Sequence, residues 1–219
     1  VDAYIALADL DGATGKPVGD VRKVLERGLA AIPDSLALKV ALVKHELRTG
    51  SPKEALATAE EALAAAPNDP SILDIVGRTQ LAAARPEQAV ATFGKLADLR
   101  PDNPAVLLAL AQAQLATKNT SGAEQTLTRT LAVKPDLLEA QRQLMVLRAQ
   151  AKDEAGALAI AGDIQKQRPK AAIGFLLEGD FLASEKKFDA AASAYHSAMQ
   201  VEPSPQAVIK LHGALKAAG

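Results

Sequence analysis

The sequence contains no cysteine. Disulfides and thiolate chemistry are therefore excluded within the chain, while its compartment stays open, because a cysteine-free protein tolerates either redox environment. Aromatic residues are scarce, at 3%, whereas a large sandwich or barrel would draw on more aromatic and β-branched side chains. There is no apolar run of about eighteen residues, so no segment is suited to span a bilayer as a helix. Charge of one sign is also missing: 25 basic residues face 26 acidic ones, for a net charge of −1. No global positive field is available to gather a nucleic-acid backbone, and nucleic acid is not an expected partner. No signal-peptide pattern is visible either. The chain begins VDAYIALADL without an initiator Met, as a processed or excised piece would, and a targeting segment would then lie outside it.

What is present is helical and periodic. Hydrophobic residues make up 48% of the chain, much of it Ala and Leu, a mixture that favours closely packed helices. Pro33, Pro67, Pro101, Pro135, Pro169 and Pro203 are spaced by 34 residues every time. They phase the chain into repeats at 2–35, 36–69, 70–103, 104–137, 138–171 and 172–205. A second mark keeps the same period: Val21, Ala55, Ala89, Ala123, Ala157 and Ala191. One helical turn later, on the same face, come Leu25, Ala59, Phe93, Leu127, Ala161 and Tyr195.

Each repeat reads as two helices. In the second, LALKVALVKHELRT carries the first and PKEALATAEEALAA the other, with a turn at GSP. Pro52 and Pro86 suit the first position of a helix, where the missing N–H costs nothing. The recurring APNDP and RPDNP segments end one repeat and start the next. After the sixth repeat, SPQAVIKLHGALKAAG supplies one more amphipathic helix at about 206–218, which caps the array. The first repeat is the irregular one, because Asp9 and Gly12 fall within its expected first helix beside a loop-like DGATGK.

Period, small residues and prolines together resemble the tetratricopeptide repeat (TPR), a 34-residue helix–turn–helix unit. The family's first-helix Leu and small residue appear as Leu110 and Ala111, and as Val76 and Gly77. Its second-helix pattern appears as Ala89, Phe93, Leu96 and Pro101, and again as Ala191, Tyr195, Ala198 and Pro203. The family's usual Trp is absent, with Ile5, Lys39, Leu73, Leu107, Gln141 and Phe175 in its place. The resemblance implies an all-α fold, a single solenoid domain over 1–219 in which hairpins wind into a right-handed superhelix. A lone hairpin cannot bury both apolar faces, so each repeat depends on its neighbours.

Little in the sequence points to catalysis or metal. Gly12-Ala13-Thr14-Gly15-Lys16 has the wrong spacing for a phosphate-binding loop, and Pro17 stands where that motif needs Ser or Thr. It reads as an inter-helix turn, and Asp9 and Asp11 do not continue into a calcium loop. His45, His196 and His212 are scattered over distant repeats without a second ligand at i+4, as ordinary surface or half-buried histidines are. No cofactor, metal site or enzyme activity is expected.

Interaction is the better prospect, because first helices of stacked hairpins line a concave surface. Two inward-facing ranks implied by the TPR resemblance are Val40, Asp74, Leu108, Arg142 and Leu176, and Lys44, Arg78, Gln112, Val146 and Asp180. Arg48 extends the second rank by one turn, and Ile173 joins the far end. The expected groove is basic near Lys44, Arg48 and Arg78, neutral at its centre, and ends with Ile173, Leu176 and Asp180. Such a cluster suits an acidic or C-terminal carboxylate group of a protein or peptide partner. Asn is missing from these ranks, so the carboxylate clamp of chaperone-tail TPRs is not expected.

Residues 164–219 resemble the corresponding part of the PEP-CTERM-system TPR-repeat lipoproteins, through Gln167-Arg168-Pro169, Glu178-Gly179-Asp180, the Phe188-to-Tyr195 helix and the closing Leu211-His212, Leu215 and Gly219. That resemblance implies a secreted, lipid-anchored protein of Gram-negative bacteria, periplasmic or outer-membrane associated, tied to exopolysaccharide production and exosortase-type sorting. With no cysteine here, the anchor would lie upstream. The functional expectation is a non-catalytic scaffold in envelope or polysaccharide assembly. The alternative is a general peptide-binding or co-chaperone-like TPR module unconnected with polysaccharide, which could be cytoplasmic.

Overall fold

The computed structural model describes residues 1–219, which form thirteen α-helices and no strand. The chain makes two compact bodies, Val1–Thr126 and Leu127–Gly219. The first contains α1 (Asp2–Ala13), α2 (Val18–Ala31), α3 (Leu36–Arg48), α4 (Pro52–Ala65), α5 (Pro70–Ala82), α6 (Pro86–Leu99) and α7 (Pro104–Ala116). Helix α8 (Thr120–Val133) carries the chain across the division. The second body holds α9 (Leu138–Gln150), α10 (Glu154–Gln167), α11 (Ile173–Ser184), α12 (Phe188–Val201) and α13 (Pro205–Ala218).

The helix boundaries follow from side-chain and proline chemistry at each start. Ser35, Asp69 and Asn103, 34 residues apart, cap α3, α5 and α7 by accepting backbone N–H bonds from the first turn. Such a cap is worth about 1 kcal/mol. Pro52, Pro86 and Pro205 occupy the first helical position of α4, α6 and α13. Leu137 offers no such cap to α9, and a polar cluster consolidates the neighbouring turn instead. Gln141 donates to the Pro135 carbonyl at 3.0 Å and to Gln167 Oε1 at 2.8 Å, while Arg168 donates to the Asp136 carbonyl. Gln141, in the place of the family's Trp, is thus buried as a hydrogen-bonded node.

The turn inside each hairpin repeats one backbone conformation. Gly50, Ala84, Lys118, Lys152 and Lys186 all have φ between 57° and 79° and lie 34 residues apart. Only Gly50 takes this left-handed conformation without a steric penalty. In the first repeat α1 runs unbroken to Ala13, correcting the expectation of irregularity from Asp9 onward. Asp11 is buried there and pairs with Lys16 at 2.6 Å, and the turn is confined to Thr14–Pro17.

The core is a series of clusters between neighbouring helices. One joins α1, α2 and α3, another α3, α4 and α5, a third α5, α6 and α7, and a fourth most of the second body. Residues sixteen apart across a hairpin compensate in size. Val43 shares its cluster with Ala59, and Met145 with Ala161. Where the first residue shrinks to glycine, the second becomes aromatic: a Cβ on Gly77 would lie 2.6 Å from Phe93 Cζ, and one on Gly179 would lie 2.4 Å from Tyr195 Cε1. The glycines are what let the rings lie against the helix backbone. Helix α13 packs on α12 and buries Ala207 and Ala214, as the expected capping role requires.

A polar rung accompanies this packing. Thr92 donates to Gln80 Oε1 at 2.8 Å between α6 and α5, with both residues buried. One repeat earlier, Thr58 and Glu46 make the corresponding contact at 3.5 Å. Glu46 is a carboxylate where the next repeat holds an amide. It is 2% exposed and paired with Arg22 at 3.3 Å. Burial raises its pKa above the ordinary glutamate value, and the Arg22 guanidinium opposes that only in part.

Candidate functional site

In the N-terminal body the first helices of successive hairpins border two adjoining cavities. One, of about 440 Å³, lies between α1 and α3, with Val21 and Leu25 of α2 at its base. The other, of about 350 Å³, is bordered by α3, α5 and the start of α7. Val40 and Lys44 line both. Arg48 lines the first, Asp74 and Arg78 the second, so five of the residues expected from the sequence are brought together here.

Their charges are not equivalent. Arg78 is bound to Asp74 through Nε at 2.9 Å, one turn away on α5. Lys44 makes no ion pair, and the guanidinium of Arg48 meets only the ring of His45, 3.5 Å from Nδ1. Both side chains are solvent-exposed and line the first cavity together with the apolar Ile5, Ala8 and Leu25 and the carboxylate of Asp9. An anion arriving at Lys44 and Arg48 therefore displaces no existing partner.

Three residues that sequence reasoning missed belong to the same surface. His45 is buried rather than surface or half-buried, and its ring lines the first cavity. Burial, followed by the Arg48 and Arg22 guanidiniums, holds its pKa below the ordinary histidine value, so the ring is neutral at neutral pH. Arg100 and Asn103 enter the second cavity from the turn before α7. They flank Pro101 and Asp102 in the RPDNP segment, whose regular spacing marks it as punctuation and hides its side chains. Asn103 Oδ1 is engaged as the α7 cap, leaving its amide nitrogen as the donor on that side.

The remaining expected residues fare differently. Leu108 is half-buried and Gln112 exposed on α7, and neither lines these cavities. In the C-terminal body Arg142, Val146 and Asp180 border a groove of about 420 Å³ between α9 and α11. Ile173 and Leu176 lie outside it. Leu176 is buried in the core cluster with Met145 and Phe181, so it offers little surface to a ligand. Asp180 is already engaged: Tyr195 donates to its Oδ1 at 2.7 Å and Lys210 of α13 approaches to 2.5 Å. Lys210 also sits 5.7 Å from the centre of the Tyr195 ring. Burial and this carboxylate push the Tyr195 pKa well up, so Asp180 ties α11 to the capping helix.

Models of the tetratricopeptide repeat match residues 5–70 and 80–146, together more than half of the chain. No curated protein is significantly similar in sequence. Among solved structures the fold is similar to Pseudomonas aeruginosa pilF, with a TM-score of 0.69 at 19% identity, covering 100% of this chain and 97% of that one. A tetratricopeptide repeat protein from Parabacteroides merdae aligns with a TM-score of 0.67 at 15% identity over 98% of each chain. YrrB, described as a TPR protein with an unusual peptide-binding site, aligns with a TM-score of 0.63 at 16% identity, covering 86% of this chain and 96% of that one. At these identities the structural likeness establishes the fold. Together with the matched repeats, it shows an all-α protein-interaction module that belongs to the tetratricopeptide-repeat family.

Proposed function

We propose that the chain is a non-catalytic scaffold that grips an acidic segment of a protein partner in the N-terminal body. The observation that carries this is the pair Lys44 and Arg48, two exposed cations without an ion-pair partner, beside the apolar residues Ile5, Ala8, Val21 and Leu25 of one cavity. Arg78 and Arg100 continue the positive surface into the adjoining cavity. Cations placed this way steer an anionic partner and fix its register, while the apolar walls take neighbouring side chains. The peptide-binding site reported for YrrB lends support by analogy of fold.

The setting we propose is bacterial envelope, exopolysaccharide or exosortase-associated assembly, at the periplasmic or outer-membrane side and with a lipid anchor upstream. The resemblance of residues 164–219 to the PEP-CTERM-system lipoproteins supports it. A lipid-attachment Cys upstream of residue 1, in a gene beside exosortase genes, is the expected finding. A cytoplasmic full-length chain would overturn this setting and leave the peptide-binding reading in place.

The binding reading is tested by affinity capture from envelope extract with mass-spectrometric identification of what is retained. Lys44→Glu combined with Arg48→Glu is expected to lose the captured partner while the far-UV circular dichroism stays unchanged. Unchanged capture would remove these residues as a site.

A further inference from the structure

The C-terminal body has a groove of its own, with a different chemistry. Its floor and walls are Met145, Val146, Ala149, Leu177 and Phe181, from α9 and α11. Val146 is 54% exposed although its neighbours Met145 and Leu147 are buried, so an apolar side chain faces solvent in the middle of the groove. Met and Phe together make an adaptable apolar surface.

The charges along the groove are ordered. Arg142, at one end, is exposed and has no ion-pair partner. The acids are satisfied within the body: Asp180 by Tyr195 and Lys210, and Glu185 by Lys152 at 3.5 Å. Ser184 and Gln150 give the other end neutral polar groups. From Arg142 to Gln150 the helix rises by about 12 Å, the span of about four residues of extended peptide.

Resting on the reading of the chain as a peptide-binding module, we propose that this groove takes an extended segment of about four residues, with an acidic residue over Arg142 and apolar side chains behind it. The unneutralised guanidinium sets the position and direction of the segment. The Met145–Phe181 surface takes the apolar side chains, and Ser184 and Gln150 receive polar backbone or a small polar residue. A basic residue in the first position has no counter-charge there and is rejected.

The test is fluorescence anisotropy on the full chain with a fluorescein-labelled peptide, Gly-Asp-Leu-Phe-Ser-Gly. Arg142→Glu and Val146→Asp are both at exposed positions, and each is expected to weaken binding by about tenfold or more. Replacing the peptide's Asp with Lys should weaken binding to the native chain and restore it to Arg142→Glu. Lys44→Glu with Arg48→Glu should leave the titration unchanged. Absence of binding, or equal binding to Arg142→Glu, Val146→Asp and the native chain, would overturn the proposal. A control peptide of acidic residues alone separates the two readings: if it binds and responds to Lys44→Glu with Arg48→Glu while the first peptide does not bind, the C-terminal groove falls and the N-terminal site stands.

Discussion

Exchanging one hairpin's side-chain pair for another's tests the packing logic of the fold. Phe93 is completely buried and lies against Gly77, where an added Cβ would come within 2.6 Å of the ring. Phe93→Ala removes a full aromatic ring from a closed site and should cost about 3–5 kcal/mol. Gly77→Val, made alone, drives a branched side chain into that ring. Overpacking of this kind costs about 1–3 kcal/mol, offset by a few tenths from the better helix propensity of Val over Gly. The double variant places in this hairpin the pair that the previous one carries as Val43 and Ala59, both fully buried. The valine then fills part of the space left by the ring, and the net cost should fall to about 1–2 kcal/mol. Urea unfolding followed by circular dichroism gives all four stabilities. The double variant should be more stable than Phe93→Ala alone, with a coupling of about 2 kcal/mol or more. Additivity of the two single effects to within about 0.5 kcal/mol would refute size compensation as the rule.

Glu46→Gln should stabilise the chain by about 1 kcal/mol at pH 7, because an amide serves in the corresponding place at Gln80. The raised pKa means the folded state holds the Glu46 proton more tightly than the unfolded chain does, so stability falls as pH rises through that window. The gain from Gln should therefore vanish below about pH 4, and a gain independent of pH would contradict the assignment. Ala84→Gly relieves a left-handed residue at φ 57° and should raise stability by about 1 kcal/mol in the same unfolding assay. A loss would mean that Ala84 contributes packing beyond its backbone conformation.

The architecture was largely legible in the sequence because its marks are backbone chemistry. Pro52 and Pro86 start helices where their geometry requires, and α4 spans the residues read for it. The hairpin turns were less legible, since Lys118, Lys152 and Lys186 give no sign of the left-handed conformation that Gly50 announces. Gln141 stands where the family's Trp is usual and gives no local sign of its role, because its partners Gln167 and Arg168 lie at the far end of the same hairpin. Among the groove residues, Lys44 and Arg48 line one cavity and Lys44 and Arg78 the adjoining one. Leu176 and Asp180 show the limit of a rank. Leu176 lies in the core cluster with Met145 and Phe181, although its place in the rank is a groove-facing one. Asp180 is occupied by a lysine thirty residues further on, which no local pattern announces.

A partner held by the unpaired cations Lys44 and Arg48 of the N-terminal body leaves a footprint in backbone exchange. Hydrogen–deuterium exchange on the full chain, with and without the captured partner, tests it most directly. New protection is expected to concentrate in α1, α3 and α5, and to be lost again when Lys44 and Arg48 are both changed to Glu. Protection that leaves those helices untouched, or that survives the charge reversal, would contradict it.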